Sequence, residues 1–214
     1  MKPGQKFRNA LKNNKPLIIP GTINAYSAKL AELANHNSIY LSGSGVAAAS
    51  YGLPDLGVTT LENVLIDAKR ITSATSLPLL VDIDTGWGDF DAISNTIIEM
   101  GNANVAAVHI EDQIFDKRCG HRPNKQLVSA NEMQDRLKAA LDSKIDDSFF
   151  IMARTDALAS EGIERAIERC GKYLDVGADG IFFEAAVSID EYKEFKNNFS
   201  APLLANITEF GKTP

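Results

Sequence analysis

The sequence has little with which to cross-link itself, span a membrane or grip a polyanion. Its two cysteines, Cys119 and Cys170, make no disulfide framework, which points to a reducing compartment. No apolar run approaches the roughly 20 residues of a membrane helix, and the basic segment 1–16 lacks the apolar core of a secretory signal. A formal net charge of −6 argues against a nucleic-acid binder, which needs a basic face. His109 and His121 are not clustered with Cys119 at ligand spacing, which argues against zinc. What remains is 214 residues, 44% hydrophobic and 23% charged, enough for one core in one domain. The expectation is a cytoplasmic protein acting on a small molecule.

Apolar periodicity predicts alternating strands and helices. Strands are expected at Leu17–Gly21, where the stretch ends in a turn, Ser38–Leu41, Leu79–Val81, Val105–Ile110, Phe149–Arg154, Gly180–Glu184 and Pro202–Asn206. Between them lie helical patterns: Ala25–His36, a helix capped by Thr59 and Glu62, Ala92–Met100, a helix capped by Ser129 and Glu132, Ser160–Val176, and a helix capped by Ser188 and Glu191. About seven nearly continuous apolar strands with helical crossovers imply a parallel sheet covered on both faces. A doubly wound sheet would favour a glycine-rich phosphate turn after the first strand, and Gly21-Thr22-Ile23-Asn24 does not provide one. The fold class expected is α/β, a (β/α)8 barrel of the TIM type.

Strand after strand ends on a polar or flexible group: Ser42-Gly43-Ser44, Asp82 and Asp84, Glu111, Arg154, Glu184, Asn206. In a parallel barrel the carboxyl ends of the strands carry the catalytic groups. Side chains two apart share a face, so an apolar interior capped by a polar ring is expected. Asp82 and Asp84, with Glu111 nearby, offer the hard oxygens that suit Mg²⁺. His109, on an apolar strand, reads as a hydrogen-bonded core residue. Lys117-Arg118-Cys119-Gly120-His121-Arg122 sets a thiol among cations beside a bendable glycine. It reads as a mobile loop bringing Cys119, its pKa lowered by those cations, to a carboxylate-bearing substrate.

Six stretches together resemble the isocitrate lyase/phosphoenolpyruvate mutase superfamily. They are Tyr40-Leu41-Ser42-Gly43, Leu53-Pro54-Asp55-Leu56-Gly57, Val81-Asp82-Ile83-Asp84-Thr85-Gly86, His109-Ile110-Glu111-Asp112, Lys117-Arg118-Cys119-Gly120-His121 and Asn206-Ile207-Thr208-Glu209. The likeness runs from about Lys15 to Pro214, and the Cys-Gly-His loop marks the lyases. It implies a barrel enzyme, a carbon–carbon lyase using Mg²⁺ for retro-Claisen cleavage of 2-methylisocitrate to pyruvate and succinate, in the methylcitrate cycle of propionate catabolism. It implies Asp82 and Asp84 as metal ligands, with Glu111 supporting them through water. Ser42, Gly43 and Ser44 would bind the pyruvate-like end, with Asp55 close by. Cys119, Gly120, Arg154, Glu184, Asn206, Ile207 and Thr208 would bind the succinate-like end, Arg154 in bidentate fashion and Cys119 as proton donor. Tyr40, or a water near Glu111, is the candidate base.

The resemblance further implies a small tricarboxylate substrate and a homotetramer, with no nucleic acid or membrane partner. Ser44 departs from the family pattern, which carries a third glycine there. Because such barrels take about 250 residues, the eighth strand and C-terminal helices are expected to be missing from this chain. Isocitrate lyase or oxaloacetate hydrolase activity on the same site, or an inactive truncated homologue, are the alternatives.

Overall fold

A computed structural model describes residues 1–208, 211, 213 and 214. Six strands form one all-parallel ladder in sequence order: β1 (Ile39–Leu41), β2 (Leu79–Asp82), β3 (Ala107–Glu111), β4 (Phe150–Thr155), β5 (Gly180–Phe183) and β6 (Leu203–Leu204). The helices are α1 (Pro3–Asn13), α2 (Ala25–Leu33), the single turn α3 (Gly43–Gly45), α4 (Leu61–Ala74), α5 (Phe90–Asn102), α6 (Ala130–Asp142), the short α7 (Leu158–Glu161), α8 (Ile163–Asp175) and α9 (Ile189–Asn198). Crossover connections of this kind are how consecutive parallel strands are joined.

Period-two alternation sorts the strand side chains into two cores. Leu79, Val81, Val108, Ile110, Ile151, Ala153, Ile181 and Phe183 face the helices and join the larger core with Val64, Ile97, Met133, Leu137, Cys170 and Phe195. Leu80, Ala107, Phe150, Met152 and Phe182 face inward and meet one another with Phe7. Side chains from β2 and β5, which are not neighbours in the ladder, share that inner cluster, so the sheet is curled with a concave inside, as a barrel requires. Continuing each inward column toward the strand ends gives Asp82 after Leu80, His109 and Glu111 after Ala107, Arg154 after Met152, and Glu184 after Phe182. The apolar interior capped by a polar ring is therefore a consequence of the pleat.

Helix α1 closes the opposite mouth. Phe7 is fully buried and meets Phe150 edge to face at 5.1 Å. Arg8 lies 5.0 Å over the same ring, donates to the carbonyls of Ser148 and Phe149, and pairs with Asp179 at 2.8 Å.

Several expectations need correction. Leu17–Ile19 does not enter the ladder: only a parallel bridge at Gly21 reaches Tyr40. Pro16 and Pro20 flank the stretch and lack the N–H groups that a ladder needs. The cap of α4 is Thr60 with Asn63, one residue beyond Thr59 and Glu62. Ser129 caps α6 through the Glu132 N–H, but the Glu132 carboxylate turns to Arg136 instead of completing a capping box. The helix expected over Ser160–Val176 is broken at Gly162, whose φ of 81° is open to glycine and strained for other residues. Ser42-Gly43-Ser44-Gly45 is a helical turn that runs into a π-turn over Val46–Ser50. Glu209 lies outside the described residues.

Candidate active site

The strand ends bring Asp82, Asp84 and Glu111 together. One oxygen from each lies within 4.8 Å of the others, and all three residues are buried. The register places Asp82 opposite His109 and Glu111 opposite Arg154. Asp82 is fixed by N–H donors: Gly43 to its Oδ2 at 3.1 Å and Asp84 to its Oδ1 at 3.0 Å. Burial opposes its charge, but the cations of Lys117 and Arg154 and the Asp84 N–H hold Asp82 below the ordinary carboxylate range. Burial and the Asp82 charge push Asp84 up to about 6. Burial raises Glu111 well above its usual value against the pull of Arg154.

This donor set fits a magnesium ion. Both Glu111 oxygens are buried without a hydrogen-bond donor, and Asp84 Oδ1 has only the ion pair to Lys117 Nζ at 2.7 Å. Three crowded, under-satisfied hard oxygens are what a small divalent cation neutralises. His109 is the expected core histidine: its Nε2 meets the Tyr40 hydroxyl at 2.9 Å and its Nδ1 lies 3.7 Å from Asp82. Burial drops its pKa to about 4, so the ring is neutral at pH 7. Burial and the Asp82 charge raise the Tyr40 phenol well above its ordinary value, which disfavours it as a base in the metal-free protein.

Arg154 fills the middle of the ring. Its Nε and Nη2 donate to Asp156 at 2.9 and 3.3 Å, and it lies 3.3 Å from Glu111 and 3.5 Å from Glu184. The bidentate fork expected to clamp substrate is thus already engaged by Asp156, whose carboxyl those cations hold at about 2 against burial. The guanidinium is fixed in place before any ligand arrives. Asp112 supports this from behind. It accepts the Asp156 N–H, the Thr155 hydroxyl and the Tyr173 hydroxyl at 2.7–2.9 Å, tying the end of β3 to that of β4.

The loop after β3 folds over the same mouth. Lys117 Nζ sits 2.5 Å from Asp55 and 2.7 Å from Asp84. Gly120 lies so close to Glu184 and Arg154 that a Cβ there would overlap both side chains. His121 Nε2 lies 3.3 Å from Glu184. Cys119, between these contacts, is half-buried and within electrostatic reach of Asp55, Arg154 and Glu184. Its pKa is raised, contrary to expectation: burial dominates, and the Asp55 and Glu184 charges add to it against Arg154. The nearby cations are engaged elsewhere: Lys117 on carboxylates, Lys125 on Asp156, while Arg118 and Arg122 point to solvent. Cys119 is therefore a thiol at neutral pH.

The remaining predicted residues lie at the rim. Ser42 caps the turn α3 by accepting the Gly45 N–H, and Ser44 is exposed. Asn206, Ile207 and Thr208 follow β6, with Ile207 and Thr208 exposed. Among the described residues none of their side chains hydrogen-bonds to the acidic and basic cluster. Gly211, whose N–H donates to the Thr208 carbonyl, lies against the His121 ring. Lys125, Asp112 and Asp156 were not picked out as site residues. The charge-bearing stretches that contain them were visible, but their pairing across the sequence was not.

The sequence and the fold have relatives among known proteins. The profile of the phosphoenolpyruvate phosphomutase family matches residues 7–213. The chain belongs to the phosphoenolpyruvate mutase/isocitrate lyase superfamily. Within it the chain stands with the carbon–carbon lyases. It is similar to proteins named 2-methylisocitrate lyase from Shewanella oneidensis, 60% identical over 210 residues and covering 98% of this chain and 72% of that one. The corresponding protein of Vibrio cholerae is 56% identical over 220 aligned positions, covering 100% and 71%. Among solved structures, oxaloacetate acetylhydrolase bound to 3,3-difluorooxalacetate superposes with a TM-score of 0.95 at 35% identity, covering 100% of this chain and 74% of that one. Phosphonopyruvate hydrolase with oxalate and Mg²⁺ superposes with a TM-score of 0.81 at 30% identity, covering 95% and 71%. No helix of the described residues is long and apolar enough to cross a membrane.

Proposed function

We propose that the chain cleaves 2-methylisocitrate to pyruvate and succinate with the help of Mg²⁺. What supports this reading is the cluster of three buried carboxylates at the strand ends, with the Cys119 loop folded against it through Lys117 on Asp84 and Gly120 on Glu184 and Arg154. Asp82 and Asp84 would hold the ion, with Glu111 behind them. A bound Mg²⁺ supplies Lewis-acid polarisation of the substrate's oxygens.

The chain's own groups account for the rest. Cleavage turns the substrate's alcohol carbon into the pyruvate carbonyl as the hydroxyl proton passes to a water held near Glu111. The electron pair of the broken bond stays on the succinate carbon, next to a carboxylate. The Cys119 S–H donates its proton to that carbon, a role that requires a thiol and is favoured by the raised pKa. Arg154, preset by Asp156, and the Gly120 peptide face the succinate-like end. The Ser42–Ser44 turn, whose Gly43 amide already bonds Asp82, faces the pyruvate-like end. Asn206, Ile207 and Thr208 close the rim from β6. The loop over the mouth excludes water while the carbanion exists. We assign this activity to the cytoplasm and to propionate catabolism through the methylcitrate cycle, in a homo-oligomer of the tetrameric kind.

The test is product identification with 2-methylisocitrate, isocitrate and oxaloacetate offered separately. Pyruvate and succinate from the first, at the highest kcat/KM, is the expected result. Preferred release of glyoxylate from isocitrate, or of oxalate from oxaloacetate, would keep the site and replace the substrate.

A further inference from the structure

The loop that carries Cys119 is a closed excursion. Its stems are paired: the Ile114 N–H donates to the Gln126 carbonyl, the Val128 N–H to the Asp112 carbonyl, and Gln113 bridges Leu127 in antiparallel fashion. Each stem sends one buried side chain back into the loop. Gln113, 1% exposed, grips the Arg118 backbone on both sides of its Cα with the two ends of its amide. Its Oε1 accepts the Arg118 N–H at 2.9 Å and its Nε2 donates to the Arg118 carbonyl at 2.8 Å. Lys125, whose side chain is 2% exposed, donates to the Gly120 carbonyl at 2.6 Å and to Asp156 at 2.8 Å. Arg118 and Gly120 are the two residues that flank Cys119.

We propose that Gln113 and Lys125 are a pair of positioning residues that clamp the backbone on either side of Cys119. Neither touches the reacting atoms. Gln113 is itself held by Arg136, which donates to its carbonyl at 2.9 Å. Lys125 is held by Asp156, which also fixes Arg154. The second clamp therefore ties the position of the thiol to that of the guanidinium, so proton donor and carboxylate site are set from one buried anchor. A four-bond ammonium side chain is seldom buried without such a purpose, because its charge must be matched on every side. The Gln113 amide spends one donor and one acceptor on the two peptide groups that flank the Arg118 Cα, which fixes the loop's path and not merely its distance.

As a proposal about catalysis this rests on the lyase reading, but its first readout does not. Gln113→Met and Lys125→Met are compared with the unsubstituted protein by the rate at which iodoacetamide alkylates Cys119 with no substrate present. Cys170, fully buried on α8, reports any global opening. We expect Cys119 to react about tenfold faster in each variant while Cys170 stays silent. With substrate, kcat is expected to fall by about a hundredfold, the scale of a misplacement near 1 Å, and by more than KM rises. Alkylation and kcat within twofold of the unsubstituted protein in both variants would overturn the proposal. Should a Met variant expose Cys170 as well, Gln113→Asn and Lys125→Gln, which keep polar groups in place, decide by the same two rates. If the unsubstituted protein does not cleave 2-methylisocitrate, the substrate assignment fails while the alkylation rates still decide the clamp.

Discussion

The two mouths of the curled sheet are built on opposite principles. At the amino ends of the strands, α1 seals the interior with an apolar ring, Phe7 against Phe150, and with partly exposed polar contacts from Arg8. At the carboxyl ends, the same inward columns finish on Asp82, His109, Glu111, Arg154 and Glu184, all buried and all in contact with another charge or dipole. The first mouth gains stability from area removed from water. The second spends it, because buried ions seldom repay their desolvation. One pleat pattern thus supplies an apolar floor and a rim of buried ions.

Substitutions at the two mouths should separate accordingly. Arg154→Met is expected to have the largest effect, since it leaves Asp156, Glu111 and Glu184 facing one another without their shared cation. Removing one partner of a buried pair costs about 3–5 kcal/mol, so denaturant unfolding should show that loss and turnover should be undetectable. Cys119→Ser should lower kcat by about 10²–10⁴-fold, the range of one general acid, with an unchanged unfolding midpoint. Equal loss of stability would place Cys119 in the scaffold instead. Phe7→Ala should cost about 3–5 kcal/mol of stability and leave kcat per folded molecule unaltered. A fall in kcat there would show that the mouths are coupled.

A smaller effect follows from Asp84, whose pKa of about 6 lies above that of an ordinary carboxylate. In the metal-free protein this group favours folding at low pH, and that contribution is lost as pH rises from about 4 through about 6. A cation and a proton compete for the same carboxylate. Mg²⁺ affinity measured by calorimetry should therefore weaken by about tenfold for each pH unit below 6 and flatten above it. Affinity independent of pH between 5 and 7 would remove Asp84 from the ligand set.

Much of this was legible in the sequence because it is local. The period-two pattern of β2 to β5 announced both the sheet and the shared face of Asp82, Glu111, Arg154 and Glu184. The Ser188 and Glu191 capping box formed as written. What was not legible depended on contacts across the chain. Thr59 and Thr60 are equally good caps on paper, and only the folded Asn63 reply chooses between them. Sequence distance sets cations around Cys119, whereas in space Lys117 and Lys125 are engaged by Asp55, Asp84 and Asp156, and burial of the thiol raises its pKa instead of letting it fall. The same blindness hid Asp112, whose three bonds span two strand ends and a helix.

The most direct test of the central claim, that the three carboxylates form a metal site serving Cys119, is chelation of the intact protein during turnover of 2-methylisocitrate. Pyruvate formation should stop in excess EDTA and return on adding Mg²⁺, and Asp82→Asn should not be rescued at the same Mg²⁺ concentration. Pyruvate formation that continues undiminished in EDTA, or an Asp82→Asn protein as active as the unsubstituted one, would contradict it.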